Sequence, residues 1–486
     1  MKIQDCGHRP ESHTGFSRRD FVRIGGGSVA AYALADGMRP FETVAQSSPP
    51  RLDTADACIF IKLAGAMSHM DTFSIKVGAW TPANFNVQTR NGITLSGLLF
   101  PNLLNQTNKF SVIHSAQSWV PVHPVAQYWL DTAQEFNAAL ALERPAMGAV
   151  VALEYQGQRR PGIDVFPGFV SLIAQPAVGN GFLNGLVAPF PIAGGAPQAA
   201  GRLIPVTGVP GLTHPRGQAA FNRFYTNLSN LDAANRGGAS PWGTTVNNYN
   251  DFFVAAKDMM YHQDVTQAFT YADAERANYG NTTFGDSLLV ARNLVTADKG
   301  TRFVHVTFGG WDMHANVYNP TLGLQARCNA LDSGLARLLV DLNNTPSPTR
   351  PGQNMLQTTM IVMMGEFGRT PPNRYGPTGL NAQNGRDHYA NVQFAFVAGG
   401  GTRPSRNLGA TDAFGSAITR TDFAGGAGRP LPVGPNVRME DIAVTIYSAL
   451  NIDWTKEIQD TPSRRVYQYV NGGPNTYYRE VRELFV

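Results

Sequence analysis

Cysteine is scarce. Three occur in 486 residues, Cys6, Cys58 and Cys328, which excludes a disulfide scaffold and a cysteine-rich zinc or iron–sulfur site. With the N-terminal segment set aside, at most one bridge remains, Cys58 to Cys328. Both lie in apolar or helical runs, so free buried thiols are the expectation. Charge is low as well: 15% of residues, 39 basic against 35 acidic, net +4. No block of lysine or arginine occurs, which disfavours nucleic-acid binding. No stretch is long and apolar enough for a stable membrane span, which takes ~20 residues. Gly 50 and Pro 32 make about a sixth of the chain, loop-rich but below the ~25–30% of low complexity. The hydrophobic share of 43% suffices for a large core. At ~150 residues per domain the length allows three domains, although single α/β domains often run longer. No internal repeat is found.

Near the N-terminus, Ser17-Arg18-Arg19-Asp20-Phe21 precedes a weakly apolar stretch over 24–34. This resembles the twin-arginine export signal S-R-R-x-F-L-K. The other reading is a chance arginine pair on an amphipathic start. Residues 1–45 are assigned to the signal, with cleavage after Ala35 or Ala45, and 46–486 to the body. The implied partner is the twin-arginine translocation machinery, and the implied location periplasmic or extracellular.

Five short runs rich in β-branched and aromatic residues read as buried strands: ACIFIKL (57–63), FSVIH (110–114), FVHVTF (303–308), TTMIVMM (358–364) and VQFAFVA (392–398). Helical spacing recurs over 284–294, 326–342 and 439–450. The alternation argues for an α/β domain with a mainly parallel sheet. Residues 155–247, rich in Gly, Pro, Ala and Asn, read as a loop-rich insertion or cap.

Polar groups cluster where these runs end. His69 and Asp71 follow the first, Asp312 and His314 the third, Glu366 the fourth; Asp387 and His388 precede the fifth. Sites in open α/β sheets form beyond the carboxyl ends of strands. Imidazoles and carboxylates together suit a divalent metal, zinc or manganese rather than calcium or magnesium. Arg369 and Arg386 stand beside the acids, where they could clamp an anionic substrate oxygen. Each group also has a plain structural reading: an Asp after a strand as a helix cap, a histidine as a bonded core residue, an Arg–acid pair as an ion pair.

These motifs give the chain a resemblance to a known family. Ser68-His69-Met70-Asp71-Thr72-Phe73, Phe308-Gly309-Gly310-Trp311-Asp312-Met313-His314, Gly365-Glu366-Phe367-Gly368-Arg369-Thr370-Pro371 and Gly385-Arg386-Asp387-His388-Tyr389 resemble the secreted bacterial family called domain of unknown function 1501. That family belongs to the alkaline-phosphatase-like and sulfatase-like superfamily. The likeness runs from about Ala57 to Asp453. It implies an α/β/α sandwich, one or two metals, and hydrolysis of phosphate or sulfate esters, the substrate being a small anionic ester or a sulfated or phosphorylated glycan. It puts Asp71 at the first-strand metal carboxylate, Asp312 and His314 at the middle-strand ligands, and His388 at the late histidine. Glu366 falls where the superfamily has an Asp-His pair, Phe367 replacing its histidine. Counting nine residues back from Thr132 reaches His123 at the nucleophile's place, with Gln127 where a sulfatase carries arginine. His123 can then be a ligand, an acid/base or a nucleophile. The implied mechanism is attack by a metal-activated water. The alternatives are an exported, non-catalytic protein of the same fold that binds a glycan or envelope partner, and an export-linked assembly factor.

Overall fold

Ala57–Lys62 is fully buried, with apolar side chains on both faces, a pattern expected of a strand covered by helices on either side. It is β1 of an eight-stranded sheet. The others are β2 (Phe110–Ala116), β3 (Phe169–Ile173), β4 (Phe190–Ala193), β5 (Phe303–Thr307), β6 (Thr359–Met364), β7 (Gln393–Gly399) and β8 (Asn407–Leu408). Their order is β8-β2-β7-β6-β1-β5-β3-β4. This computed structural model describes residues 50–193, 201–205, 209, 212–236, 254, 256–376 and 378–485. The twin-arginine segment, its cleavage points and Cys6 lie outside the described residues, as does part of 155–247.

β5 and β6 flank β1 in parallel, and β3 and β4 extend the sheet in the same sense. β7 is antiparallel to both β2 and β6. The loop entering β7 therefore meets the same sheet edge as the loops leaving β1, β5 and β6. On one face Ile59, Ile61, Val304 and Val306 pack with leucines of α3 (Thr283–Ala297) and α4 (Leu324–Asn344). On the other, α1 (His123–Thr132) and α2 (Met147–Gln156) cover β1 and β3, through Asp131 on Lys62 and Gly148 against the Phe169 ring. The result is an α/β/α arrangement around a mainly parallel sheet. Cys58 and Cys328 are free, buried thiols.

The expectation for 155–247 needs a correction. Two strands at one end of the main sheet, β3 and the edge strand β4, lie inside it, as does a helix over Gly217–Arg236. FVSLI and FPIA are short runs flanked by Gly and Pro, so local composition hides strands that tertiary pairing holds in place, β3 on β5 and β4 on β3.

The last turn of α1 and the segment that leads into the helix are pinned. At the helix's C-terminal end Asp131 accepts from Lys62 Nζ at 2.7 Å and lies 3.2 Å from His305 Nε2, all three fully buried. Burial pushes the Asp131 carboxyl up, but Lys62 and His305 win and hold it at about 2. Trp129, in the same last turn, donates its indole N–H to Glu440 at 2.8 Å, and Trp119, four residues before the helix begins, donates to the same oxygen at 3.0 Å. The two indoles stack at 5.5 Å, and the Arg438 guanidinium lies 4.0 Å above Trp119. Glu440 belongs to α5 (Met439–Ala449) and is completely buried. Burial pushes its carboxyl up to about 7, against the pull of its backbone N–H and the two indoles.

Two stability measurements follow. Asp131→Ala strands the Lys62 ammonium in the sheet and is expected to cost about 3–5 kcal/mol in urea unfolding; a loss under ~1 kcal/mol would contradict the triad's role. Glu440 holds its proton more tightly folded than unfolded, so its contribution to stability is complete below pH 4.5 and is lost as pH rises towards 7. Glu440→Gln keeps an acceptor for the indoles and does not titrate. Its unfolding free energy should therefore gain on wild type between pH 4.5 and 7.5, by on the order of 2–3 kcal/mol. A difference that stays flat with pH would refute the assignment.

Candidate functional site

The run Phe308-Gly309-Gly310-Trp311-Asp312 leaves β5 through a tight turn. Gly310 has φ +89°, a left-handed conformation that glycine adopts without strain. Trp311 is buried and anchors the loop, which leaves Asp312 and His314 at the rim. Gly65, at φ +101°, lets the β1 loop pass so close that a Cβ there would lie 2.5 Å from the Asp312 nitrogen. After β6, Gly368–Arg369 pairs antiparallel with His388–Tyr389, His388 opposite Arg369, and that two-stranded ribbon carries His388 back over the rim. His123 opens α1 from the facing side.

Three imidazoles meet on one carboxylate oxygen. Asp312 Oδ1 is 3.2 Å from His123 Nε2, 3.0 Å from His314 Nε2 and 3.3 Å from His388 Nε2. The Nε2 atoms of His314 and His388 are 3.0 Å apart. Each ring's other nitrogen faces a group that can only accept: His123 Nδ1 the Glu366 carboxylate at 2.6 Å, His314 Nδ1 the Asp387 carboxylate at 2.8 Å, His388 Nδ1 the Pro121 carbonyl at 2.9 Å. The proton must sit on Nδ1 in all three neutral rings. Three Nε2 lone pairs therefore point at an anionic oxygen, which is repulsive unless a cation lies between them. His123 Nε2 is buried and makes no hydrogen bond, although Asp312 Oδ1 is so near. In this arrangement a proton can take the cation's place. Burial draws the His123 pKa down, but Asp312 and Glu366 overcome it and push it up to about 9. Asp312 is held well below the usual carboxylate range, burial being outweighed by His123, His388 and Arg369.

The donor set fits a divalent ion. His123, Asp312 and His388 each offer one ligand atom within 4.8 Å of the others, and His314 is in direct reach of two of these. Two or three imidazole nitrogens with one carboxylate oxygen suit zinc or another nitrogen-seeking ion better than calcium or magnesium. The side chains of Asp312 and His314 are 45% exposed, so the cluster opens to solvent on one side. Glu366 and Asp387 act behind the rings, as carboxylates do behind metal-bound histidines. Glu366 is fully buried and also accepts from the amides of Gly65 and Ala66 and from Gln127. Asp387 accepts from Tyr375 and Asn381.

Four expected residues are turned inward, and three of them, His69, Asp71 and Arg386, do not touch the cluster. Asp71 is buried in a two-pronged pair with Arg386, at 2.6 and 3.1 Å, and accepts from Ser68 and Tyr318; no lone pair is left over for an ion. His69 is buried against the Gly415 carbonyl at 2.8 Å and the Arg369 amide at 3.3 Å, and burial pushes its pKa down to about 4. Arg386 spends its remaining donors on Tyr318 and on the carbonyls of Thr370 and Gly379. Arg369 is equally buried: it holds Asp312 at 2.5 Å and the carbonyls of Gly65, Ala66 and Arg386. Neither arginine has a donor facing solvent with which to clamp a substrate. Sequence reasoning did not find Pro121, Tyr375 or Asn381, whose roles come from folding and carry no local signal.

The family model for the protein of unknown function DUF1501 matches residues 55–466. A search of curated proteins finds no match. Among solved structures the chain is similar to Ps i-CgsB, at 11% identity and TM-score 0.37 over 82% of this chain and 72% of that one; a complex of Ps i-CgsB with k-i-k-neocarrahexaose is similar too. It is similar to the lipoteichoic acid synthase LtaP from Listeria monocytogenes, at 9% identity and TM-score 0.37 over 90% and 78%. A protein in the alkaline phosphatase superfamily from Vibrio parahaemolyticus matches at 8% identity and TM-score 0.34, over 84% and 68%. Likeness at this level carries no weight for function. The family match spans most of the residues from β1 onward, and the chain belongs to the DUF1501 family.

Proposed function

We propose that the chain is a metal-dependent hydrolase of phosphate or sulfate esters, with one divalent ion, zinc before manganese, held by His123, Asp312 and His388. The observation that supports this most is the convergence of imidazole lone pairs on Asp312 Oδ1, an arrangement that neutral rings tolerate only around a cation. A single ion is proposed because Asp71 is bound to Arg386 and Glu366 to His123. When bound, such an ion polarises the ester oxygen and lowers the pKa of a nearby water.

The chain's own groups do the rest. Glu366 fixes the His123 ring so that Nε2 faces the ion, and the Pro121 carbonyl does the same for His388. Arg369 steadies Asp312. His314, the most exposed of the three rings and backed by Asp387, accepts the proton of the attacking water at Nε2 as general base. No hydroxyl or thiol stands at His123, so attack by water is favoured over a covalent intermediate. The twin-arginine motif supports delivery to the periplasm or beyond by the translocation machinery. No helix among the described residues is long and apolar enough to cross a membrane.

The test pairs metal uptake with turnover of aryl phosphates and aryl sulfates. Asp312→Ala and His388→Ala should lose zinc affinity by at least ~100-fold and lose hydrolysis with it. His314→Ala should still bind zinc while turnover falls ~10²–10⁴-fold. Hydrolysis that survives both ligand changes would sink the proposal. Zinc uptake without any turnover would favour an exported protein of this fold that binds a glycan or envelope partner and catalyses nothing.

A further inference from the structure

With Arg369 and Arg386 sealed inside, neither can meet the anion of such an ester. Another arginine lies against the loop that carries Asp312, two residues before it. Arg327, in the first turn of α4, is exposed, and among the described residues its guanidinium has no carboxylate partner and no hydrogen bond. It lies against Gly310. A Cβ built there would fall 2.6 Å from Arg327 Cζ, 2.6 Å from Nη2 and 2.8 Å from Nε, so a side chain at 310 would have to push the guanidinium out of this position. The Phe308 ring supports the same guanidinium at 5.9 Å. At Gly309 a Cβ would meet nothing within 4 Å, so the backbone there faces open space. Neither the Gly309 nor the Gly310 N–H is used by a carbonyl or side chain among the described residues. Two residues span at most about 7 Å, so Gly310 Cα lies no farther than that from Asp312 Cα.

We propose that Arg327, with the backbone N–H groups of Gly309 and Gly310, forms the seat for the tetrahedral oxyanion of the substrate. The guanidinium offers paired, planar donors that match two oxygens of a phosphate or sulfate group, and unspent consecutive amides add donors of the same sense. The seat brings positive charge to a rim that otherwise carries Asp312 and Asp387. It deepens the hydrolase reading and rests on it for the statement that the anion is substrate.

The test uses inorganic phosphate and inorganic sulfate as probes in calorimetric titrations of wild-type protein, with and without zinc. Arg327→Ala should weaken binding of the favoured anion by about tenfold or more while leaving zinc affinity within a factor of about three, since the arginine touches no ligand. Arg327→Lys should recover part of the affinity, because it restores the charge without the fork. Gly310→Ala should weaken binding too, since its Cβ displaces the guanidinium. Anion binding unchanged in Arg327→Ala, or absent from wild type, overturns the seat. Arginine-dependent phosphate binding by a protein that takes up no zinc would leave the seat standing and refute the metal reading; zinc uptake with arginine-independent anion binding would do the reverse.

Discussion

The arrangement around Asp312 Oδ1 is a charge problem before it is anything else. Three imidazole nitrogens crowd one carboxylate oxygen at 3.0 to 3.3 Å, and each ring's proton is tied to an acceptor on its far side. Arg369 supplies one positive charge at 2.5 Å, but it approaches from inside the protein and its other donors go to main-chain carbonyls. With the rings neutral, the Nε2 lone pairs are left without a donor, and a metal ion or an added proton must fill the gap. A cluster of acceptors is expensive to hold together unless a cation occupies it, and many of the contacts around it serve to hold the acceptors there.

The fold meets that demand by gathering distant segments. Parallel β1, β5 and β6 release their loops on one edge, and antiparallel β7 brings the Asp387-His388 loop to the same edge. α1 supplies His123 from across the sheet. Its C-terminal end is fixed by Lys62 and His305, while the indoles on Glu440 fix the segment that also presents the Pro121 carbonyl to His388. A shift of that segment would move one ring and the acceptor of another together. Burying Asp131 with its two partners and Glu440 with its two indoles carries a desolvation cost, accepted where rigidity of the ligand frame is required.

Much of the frame could be read from the chain. The apolar runs of β1, β2, β5, β6 and β7 fall within a residue or two of their observed limits, because each is buried over nearly all its length and bounded by Gly or polar residues. Asp312, His314, Asp387 and His388 meet at the rim, where the ends of the strands direct them. His69 and Asp71 follow β1 in the same way, yet they lie in a 3-10 turn whose side chains all point inward; position after a strand does not tell direction. Arg386 and Asp387 are adjacent and face opposite ways, Arg386 to Asp71 and Asp387 to His314, as neighbours in an extended segment do. The Trp119–Glu440 contact joins residues 321 apart, with nothing local to announce it.

Anomalous X-ray diffraction from crystals of the protein purified with its resident metal tests the central claim most directly. The account predicts one strong peak, with His123 Nε2, His388 Nε2 and Asp312 Oδ1 at ~2.0–2.2 Å from it. No peak in that cluster, or a peak seated on Asp71 and His69 instead, would contradict it.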